Sequence, residues 1–248
     1  MKYLFIIFLF LVACKKPENN SPKAEVETHK QTHKNISIDR ELFHLKVDGR
    51  NNPEKNVDVL GQYVIDRFGK AKKAVFLDGI SDVIEIKNQD DLNPEEALTI
   101  AIWYKPDSYK GNGSNAIVWK GYPEYKKPYA QYLFSATGNL YPNKFGVFKF
   151  GLSINGKLNQ IQTKNNFWTA DKWYHLTGTY DGHKMKFYIN GKLVNQRAVT
   201  GTLDVYNTPL LIGKTLNKEF YTSGVFDDFR LFDKALTLAE INLLAQEK

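Results

Sequence analysis

The chain has 248 residues, a formal net charge of +7 at pH 7 and one cysteine. One cysteine excludes an intramolecular disulfide, so the hydrophobic core must hold the fold. Residues 1–34 carry +3 of the net charge, and the remaining +4 is spread along the body without a dense cluster of lysine and arginine. This distribution excludes the basic surface typical of a nucleic-acid-binding protein.

The N-terminus carries an export signal. Residues 3–12 are apolar, follow a single lysine and precede Ala13 and Cys14, as in a signal peptide. The run is too short for a transmembrane helix, which takes about 20 residues. The sequence Leu11-Val12-Ala13-Cys14 is similar to the lipobox of bacterial lipoproteins, which are diacylated on the cysteine. We predict a signal peptide over residues 1–13 and a lipid anchor on Cys14. The alternative is an ordinary secretory signal.

Residues 14–38 are polar and charged, with two prolines and little to bury, which indicates a flexible tether behind the lipidated cysteine. The lipid implies attachment of the chain to a membrane of the cell envelope. We expect the outer membrane, and the sequence leaves open whether the chain faces the periplasm or the medium.

Beyond the tether, short runs of β-branched and aromatic residues recur about every ten residues, without helices between them. This pattern favours antiparallel sheets over a parallel sheet. Asn112-Gly113, Asn155-Gly156, Asp181-Gly182 and Asn190-Gly191 favour tight hairpins. We predict one all-β domain over residues 39–248, a two-sheet antiparallel jelly-roll sandwich. The predicted strands are Val83–Ile86, Leu98–Tyr104, Ala116–Trp119, Gln131–Ser135, Val147–Ile154, Trp173–Tyr180, Lys184–Ile189 and Leu210–Ile212.

A short C-terminal helix is predicted from Thr237 onward. Thr237 and Glu240 have the spacing of a capping box, in which each side chain accepts from the other residue's backbone amide. Ile241, Leu243 and Leu244 then supply an apolar face that can pack on the sandwich.

Four stretches resemble the laminin-G-like, concanavalin A-like family of jelly-roll lectins and glucanases. Residues 74–86 are similar to its FDGxxDYVEI opening, with Leu77 at the Phe position and Val83 at the Tyr position. Residues 98–106 resemble its FTISAWVKP strand. Residues 173–194 match the WHHVAGTYDG…MKLYVNGKLV hairpin almost throughout, and residues 224–241 resemble GxIDDVRIYNRALSxxEI. The four stretches follow the family's order, so the resemblance implies the same jelly-roll fold.

The resemblance also implies two kinds of site. Jelly rolls of this family often hold a structural calcium ion, for which Asp78, Asp82 and Asp227 are the candidate ligands. The alternative is that Asp78 begins a turn and that Asp228 pairs with Arg230. Carbohydrate binding is expected at aromatic rings on loops. The candidates are Trp119, Tyr122, Tyr125 and Tyr129 in the aromatic loop, residues 119–129, and Tyr141 in a second loop. These rings could instead fold back over the sheet.

Catalysis is not expected. A retaining glycosidase needs two carboxyl groups about 5 Å apart, and strand alternation is expected to put Asp227 and Asp228 on opposite faces. Trp103, Trp173 and His175 are interpreted as structural, the two tryptophans as core. The sequence therefore predicts an envelope-anchored, non-enzymatic module that binds a glycan through the aromatic loop and the concave sheet. The alternatives are a protein-interaction domain and, third, a polysaccharide-degrading enzyme.

Overall fold

The computed structural model describes residues 37–48, 56–107, 114–124, 126–137, 146–216 and 220–247. Cys14, Tyr125, Tyr141 and the Asn112-Gly113 turn lie outside these residues. The described residues form fifteen strands and one α-helix. In chain order they are β1 Glu41–Leu45, β2 Val57–Leu60, β3 Gln62–Val64, β4 Ala74–Asp78, β5 Val83–Ile86, β6 Leu98–Pro106, β7 Ser114–Gly121, β8 Ala130–Thr137, β9 Val147–Ile154, β10 Lys157–Gln162, β11 Tyr174–Tyr180, β12 Lys184–Ile189, β13 Lys192–Ala198, β14 Leu210–Ile212, β15 Ser223–Phe232 and α1 Leu238–Gln246.

The strands form two antiparallel sheets, which confirms the predicted sandwich. Sheet A has the order β13-β12-β11-β6-β15-β4-β3, and β1 pairs with the part of β15 beyond β4. Sheet B has the order β10-β9-β8-β7-β14-β5-β2. All eight strands predicted from the sequence are present. The strands that were not predicted include β1, β2 and β13. In β13 every residue is exposed or half-buried, so this strand lacks the apolar signal.

The core fills the space between the inner faces of the two sheets. In β6, Ile100, Ile102 and Tyr104 point inward, as strand alternation requires. The phenyl ring of Phe150 in β9 crosses to sheet A and lies against Gly178 in β11, where any Cβ would overlap it. The close fit of these two residues fixes the spacing of the sheets at this point.

Two hairpins use the predicted turn chemistry. Asn155 and Gly156 join β9 to β10 with φ of 51° and 73°, and Asn190 and Gly191 join β12 to β13 with φ of 50° and 76°. Two successive residues with positive φ define the tight hairpin turn that matches the twist of the strands. Asn190 also accepts a hydrogen bond from the His175 amide through Oδ1, at 2.7 Å.

Helix α1 packs on the outer face of sheet A. Its capping box is formed as predicted: Glu240 N donates to Thr237 Oγ1 at 3.4 Å, and Thr237 N donates to Glu240 Oε2 at 2.7 Å. Ile241 and Leu244 are buried, whereas Leu243 is 42% exposed and so does not belong to the packed face, contrary to the prediction. The helix contacts the outer side chains of sheet A at Ala101, Tyr188 and Phe232. It covers only part of that face, and the remainder is available to form a site.

Strand β13 forms one edge of sheet A. Most of its residues are exposed or half-buried, among them Lys192 and Arg197. Its pairing with β12 is interrupted between Phe187 and Tyr188 by a register shift.

No helix among the described residues has the length and apolar character that crossing a bilayer would require.

Candidate functional site

The aromatic loop connects β7 to β8 at one end of sheet B. Its base is closed by a hydrogen bond from Tyr122 N to Tyr129 O of 2.8 Å, and Tyr129 has a φ of 70°. Trp119 is only 8% exposed and packs on the outer face of sheet B against Ala130 and Leu133, with Tyr129 over this cluster. Trp119 therefore offers little ring surface to a ligand. For Trp119 the alternative interpretation holds, in which the ring folds back over the sheet.

Tyr122 is presented differently, because it is half-buried and pairs with Tyr206, which the sequence analysis did not single out. The two ring centroids lie 4.9 Å apart with an interplanar angle of 77°, and Lys126 Nζ lies 5.9 Å from the Tyr122 ring. Edge-to-face aromatic pairs of this kind are favourable and hold their rings in one orientation. The pair Tyr122–Tyr206 is therefore a preformed aromatic surface at the end of sheet B.

Tyr206 is held by its own hydrogen bonds. Its backbone N donates to Gln131 Oε1 at 3.1 Å, and its hydroxyl donates to Asp204 Oδ2 at 3.0 Å. Burial raises the pKa of Tyr206 to about 12, so the phenol stays neutral at physiological pH. Gln131 is 1% exposed, and its Nε2 donates to no partner among the described residues. A buried donor without a partner lowers stability. This donor belongs to Gln131, the same residue that accepts the hydrogen bond from Tyr206 N.

The three candidate calcium ligands occupy two different places. Asp78 Oδ1 accepts hydrogen bonds from the backbone N of Ile80, Ser81 and Asp82 at 2.8–3.0 Å, and Asp82 Oδ2 accepts from Asp78 N at 3.1 Å. Burial favours a higher pKa for Asp78, but the three backbone donors lower it below the usual value. Burial raises the pKa of Asp82. These two carboxylates thus form a tight turn around Gly79.

Asp227 lies elsewhere on sheet A. The strand partner of Asp78 is Ser223, four residues before Asp227, which at about 3.4 Å per residue separates them by roughly 13 Å. Asp227 is instead bound to Arg67. Among the described ranges, no three histidine, cysteine or acidic side chains converge in a way that could hold a metal ion. Calcium binding stays a prediction, which this arrangement of side chains does not favour.

Asp227 belongs to a buried group of charges on the outer face of sheet A. This outer ion cluster consists of His44, Arg67, Asp227, Asp228 and Arg230. Arg67 binds Asp227 through Nη1 and lies 3.3 Å from Asp228 Oδ2 through Nη2. His44 Nε2 lies 2.5 Å from Asp228 Oδ1, and Arg230 Nε donates to the same oxygen at 3.1 Å. The cluster ties β1, the segment before β4 and β15 together.

The expectation that Asp227 and Asp228 point to opposite faces is wrong. The register of β15 against β6 shifts between Asp227 and Arg230, and Asp228 has a φ of 55°. A bulge of this kind inserts one extra residue and resets the alternation of side chains. Both carboxylates therefore reach the same arginine, and the pairing of Asp228 with Arg230 that the sequence suggested as an alternative is present.

Aromatic rings surround the guanidinium of Arg67. Its Cζ lies 4.5 Å from the ring centroid of Phe68 and 4.8 Å from that of Trp103. Trp103 in turn contacts Trp173 edge-on at 6.5 Å and His175 at 5.0 Å. Both tryptophans are half-buried on the outer face, so their assignment to the inter-sheet core is wrong. Alternation along β6 places Trp103 outward, where residues 65–73 cover it.

Burial shifts the protonation of this region strongly. Desolvation raises the pKa of Asp227 to about 7, against the opposing charge of Arg67, and the neighbouring Asp228 acts in the same direction as burial. Asp228 has a pKa far below its usual value, because burial is outweighed by His44 and Arg230. Desolvation lowers the pKa of His175 to about 3. Burial therefore favours the uncharged forms of His175 and Asp227, whereas the cations around Asp228 favour its ionised form.

The described residues thus combine an antiparallel jelly roll with aromatic rings at the end of sheet B and buried charges on the outer face of sheet A. A family model described as the concanavalin A-like lectin/glucanases superfamily matches residues 78–242. The chain belongs to this family, which confirms the resemblance seen in its sequence motifs. No curated relative matches the sequence.

Solved structures share the fold at low sequence identity. The binding domain of Paraclostridial Mosquitocidal Protein 1 is 17% identical with a TM-score of 0.64, over 83% of this chain and 52% of that one. The ligand-binding domain of botulinum neurotoxin serotype D, in complex with N-acetylneuraminic acid, is 16% identical with a TM-score of 0.61, over 84% and 51%. Botulinum neurotoxin type C, whose cell entry depends on interaction with two ganglioside molecules, is 17% identical with a TM-score of 0.56, over 81% and 50%. This chain spans about half the length of these relatives.

Proposed function

We propose that this chain is a non-catalytic carbohydrate-binding module, held at the cell envelope by a lipid on Cys14. The observation that carries the proposal is the Tyr122–Tyr206 pair, two half-buried rings fixed edge to face at the end of sheet B. Sugar rings present apolar C–H faces to aromatic side chains, and sites on loops of a rigid scaffold commonly use such rings. Lys126 and Glu124, which pair at 2.5 Å, add polar groups beside Tyr122.

The relatives support a saccharide as the ligand class. One was solved with N-acetylneuraminic acid, and another depends on gangliosides for cell entry. Since the chain matches only about half of each relative at 16–17% identity, these ligands serve as a guide to class and not to identity. The proposed contact surface for this chain is the aromatic loop together with Tyr206.

The outer ion cluster supports a non-catalytic role. General acid–base catalysis needs a carboxyl group that can reach the reacting atoms. Asp227 and Asp228 are both held by Arg67, and their side chains are only 8% and 14% exposed. Paired carboxylates bound in this way stabilise the fold and are poorly placed to protonate a glycosidic oxygen.

Tyr122→Ala is expected to weaken glycan binding about tenfold, the loss of one well-placed ring contact of about 1–1.5 kcal/mol. The measurement is a glycan array on the purified domain, followed by titration calorimetry with the best ligand. Tyr63→Ala, which removes a half-buried tyrosine from β3 at a distant sheet edge, is the matched control and leaves affinity unchanged. A domain that binds no saccharide contradicts the proposal and favours the protein-interaction alternative. Equal affinity of Tyr122→Ala and the unmodified chain places the site elsewhere.

Cys14→Ser is expected to release the chain from the membrane. The lipidated cysteine and its acyl chains are the proposed anchor, and two acyl chains give stable attachment where one gives only marginal attachment. Fractionation with radiolabelled palmitate checks this: the unmodified chain carries label and sediments with outer-membrane vesicles, and Cys14→Ser carries none and stays in the soluble fraction. Ser21→Ala, in the same predicted tether, is the control. Membrane attachment of the unlabelled Cys14→Ser chain would show that lipidation is not the anchor.

A further inference from the structure

A cleft of about 300 Å³ lies beside the outer ion cluster, on the part of sheet A that α1 leaves uncovered. This sheet A cleft and the aromatic loop belong to different sheets and share no residue. Its volume is at the lower end of the range for small-molecule sites. It is lined by the end of β1, the segment before β4, the bulge in β15 and the C-terminal region. Its lining residues include His44, Lys46, Arg67, Phe68, Lys70 and Lys73.

Three of the four carboxylates that line the cleft are paired with cations of the chain, and the fourth, Asp66, accepts hydrogen bonds from backbone amides. Asp227 is bound by Arg67, and Asp228 is bound by Arg67, His44 and Arg230. Glu247 Oε2 lies 2.8 Å from Arg230 Nη2. Asp66 is therefore the one lining carboxylate without a paired cation among the described residues, and it faces three lysines of the same cleft.

The rim of the cleft carries positive charge that the described residues do not balance. Its lysine rim consists of Lys46, Lys70 and Lys73, none of which forms an ion pair with a carboxylate in the described part of the chain. Lys73 Nζ donates only to the backbone oxygen of Asp48, at 3.4 Å. Lys46 and Lys70 are exposed. Three cations around one small cleft create a local positive potential.

The segment that carries this rim is held in one conformation. Asp66 Oδ1 accepts hydrogen bonds from the backbone N of Phe68 and Lys70, each at 2.8 Å, and Gly69 N donates to Asp66 O at 3.2 Å. Gly69 has a φ of 80°, which suits glycine and allows the tight turn. Because the turn is formed before any ligand arrives, ordering the segment costs little on binding.

Two buried donors next to the cleft lack acceptors. Arg67 Nε and Trp103 Nε1 are each buried without a hydrogen-bond partner among the described residues. The Arg67 side chain is 9% exposed and lines the cleft. Buried hydrogen-bond donors normally have an acceptor, so a donor without one needs an explanation. Both atoms are buried, so a small acceptor such as a bound water could satisfy them, and a ligand in the cleft would not contact them directly.

We propose that the sheet A cleft is a second binding site, selective for an acidic saccharide whose carboxylate or sulfate contacts the lysine rim. The ring of Phe68, 41% exposed between Arg67 and Lys70, gives the sugar an apolar contact beside the charges. The choice of a saccharide as carrier of the anion rests on the proposed function. The anion site itself rests on the three lysines of the rim, which outnumber the one lining carboxylate without a paired cation, and on the preformed turn that carries Lys70.

The test uses trigalacturonate as the acidic probe and galactotriose as the neutral one, titrated calorimetrically against the purified domain. The unmodified chain is expected to bind trigalacturonate about tenfold more tightly than galactotriose at about 50 mM salt, and to lose most of this preference at about 300 mM salt, because exposed charges are screened. Lys70→Gln with Lys73→Gln removes two rim charges, and the expected loss is about tenfold for trigalacturonate alone. Lys184→Gln with Lys192→Gln, on the far strands of sheet A, is the matched control.

Three results would overturn the proposal. The first is an unchanged affinity of the rim variant for trigalacturonate, with both variants melting at the same temperature as the unmodified chain. The second is equal binding of the acidic and neutral probes, which overturns the acidic site while the proposed function stands. The third is binding of the rim to vesicles with phosphatidylglycerol but to no acidic saccharide, which makes the cleft a lipid headgroup site. If the unmodified chain binds no saccharide at all, the proposed function is rejected instead.

Discussion

Replacing Arg67 by methionine is expected to destabilise the domain by about 3 kcal/mol, because it leaves two buried carboxylates without their shared cation. The Arg67 side chain is 9% exposed, and those of Asp227 and Asp228 are 8% and 14% exposed. Methionine keeps an unbranched apolar stem between the rings of Phe68 and Trp103, so the change tests the charge more than the packing. Urea unfolding at pH 7, followed by tryptophan fluorescence, measures the difference.

Arg40→Met is the matched control for this prediction. Arg40 pairs with Asp233 at 2.8 Å, but its side chain is 58% exposed, and ion pairs that water reaches contribute little to stability. The two arginines thus make similar contacts in different surroundings. If both variants lose the same small amount of stability, burial does not determine how much the ion pairs of Arg67 contribute, and the prediction is wrong.

Acidification is expected to destabilise the domain through His175. Its pKa is about 3 in the folded chain, because burial disfavours the charged ring, and 6.5 is the usual value. Between these two values the unfolded chain binds a proton that the folded chain does not, so stability is lost as the pH falls from about 6.5 towards 3. The free energy of unfolding lost over this pH range is at most roughly 4–5 kcal/mol.

Asp227 acts with the opposite sign. Its pKa rises from 3.8 to about 7 on folding, so the folded chain binds the extra proton. The stabilisation is fully present below pH 3.8 and is lost as the pH rises through about 7. The two residues lie in the same region of sheet A. Between pH 4 and 6.5 their effects on the free energy of unfolding have opposite signs and partly cancel.

Single variants separate the two effects. His175→Gln is expected to flatten the loss of stability on acidification, and Asp227→Asn to steepen it, in urea unfolding series at pH 8, 6 and 4. His183→Gln, an exposed histidine in the β11–β12 turn, is the control and leaves the profile unchanged. Profiles that move in the same direction for His175→Gln and Asp227→Asn would contradict the assignment of opposite signs.

The fold was largely predictable because its signals are local. The alternation in β6, the Asn-Gly turns at residues 155 and 190 and the capping box of α1 each lie within a few residues of sequence. Each of them also agrees with the others, so that turns, strands and helix define one architecture. Strand β13 escaped prediction because it lies at a sheet edge, where none of its residues is buried and no apolar pattern appears.

The candidate sites were less predictable because they depend on contacts between distant residues. Arg67 binds Asp227, 160 residues further along the chain, and Tyr206 reaches Tyr122 across 84 residues. The bulge at Asp228 turns two side chains to one face, which no alternation pattern reveals. Trp119 was predicted as a ligand contact in the aromatic loop, but it lies in β7, and its ring is buried against Leu133 and Ala130 of the neighbouring strand.

Strand β13 leaves sheet A with an edge that another copy of this chain cannot easily extend. Unpaired strand edges are templates for strands of neighbouring molecules, and charged residues and bulges oppose such pairing. Lys192 and Arg197 place charge along β13, and the register shift at Phe187 interrupts its alignment with β12. Strand addition by a neighbouring copy is therefore disfavoured at this edge of sheet A.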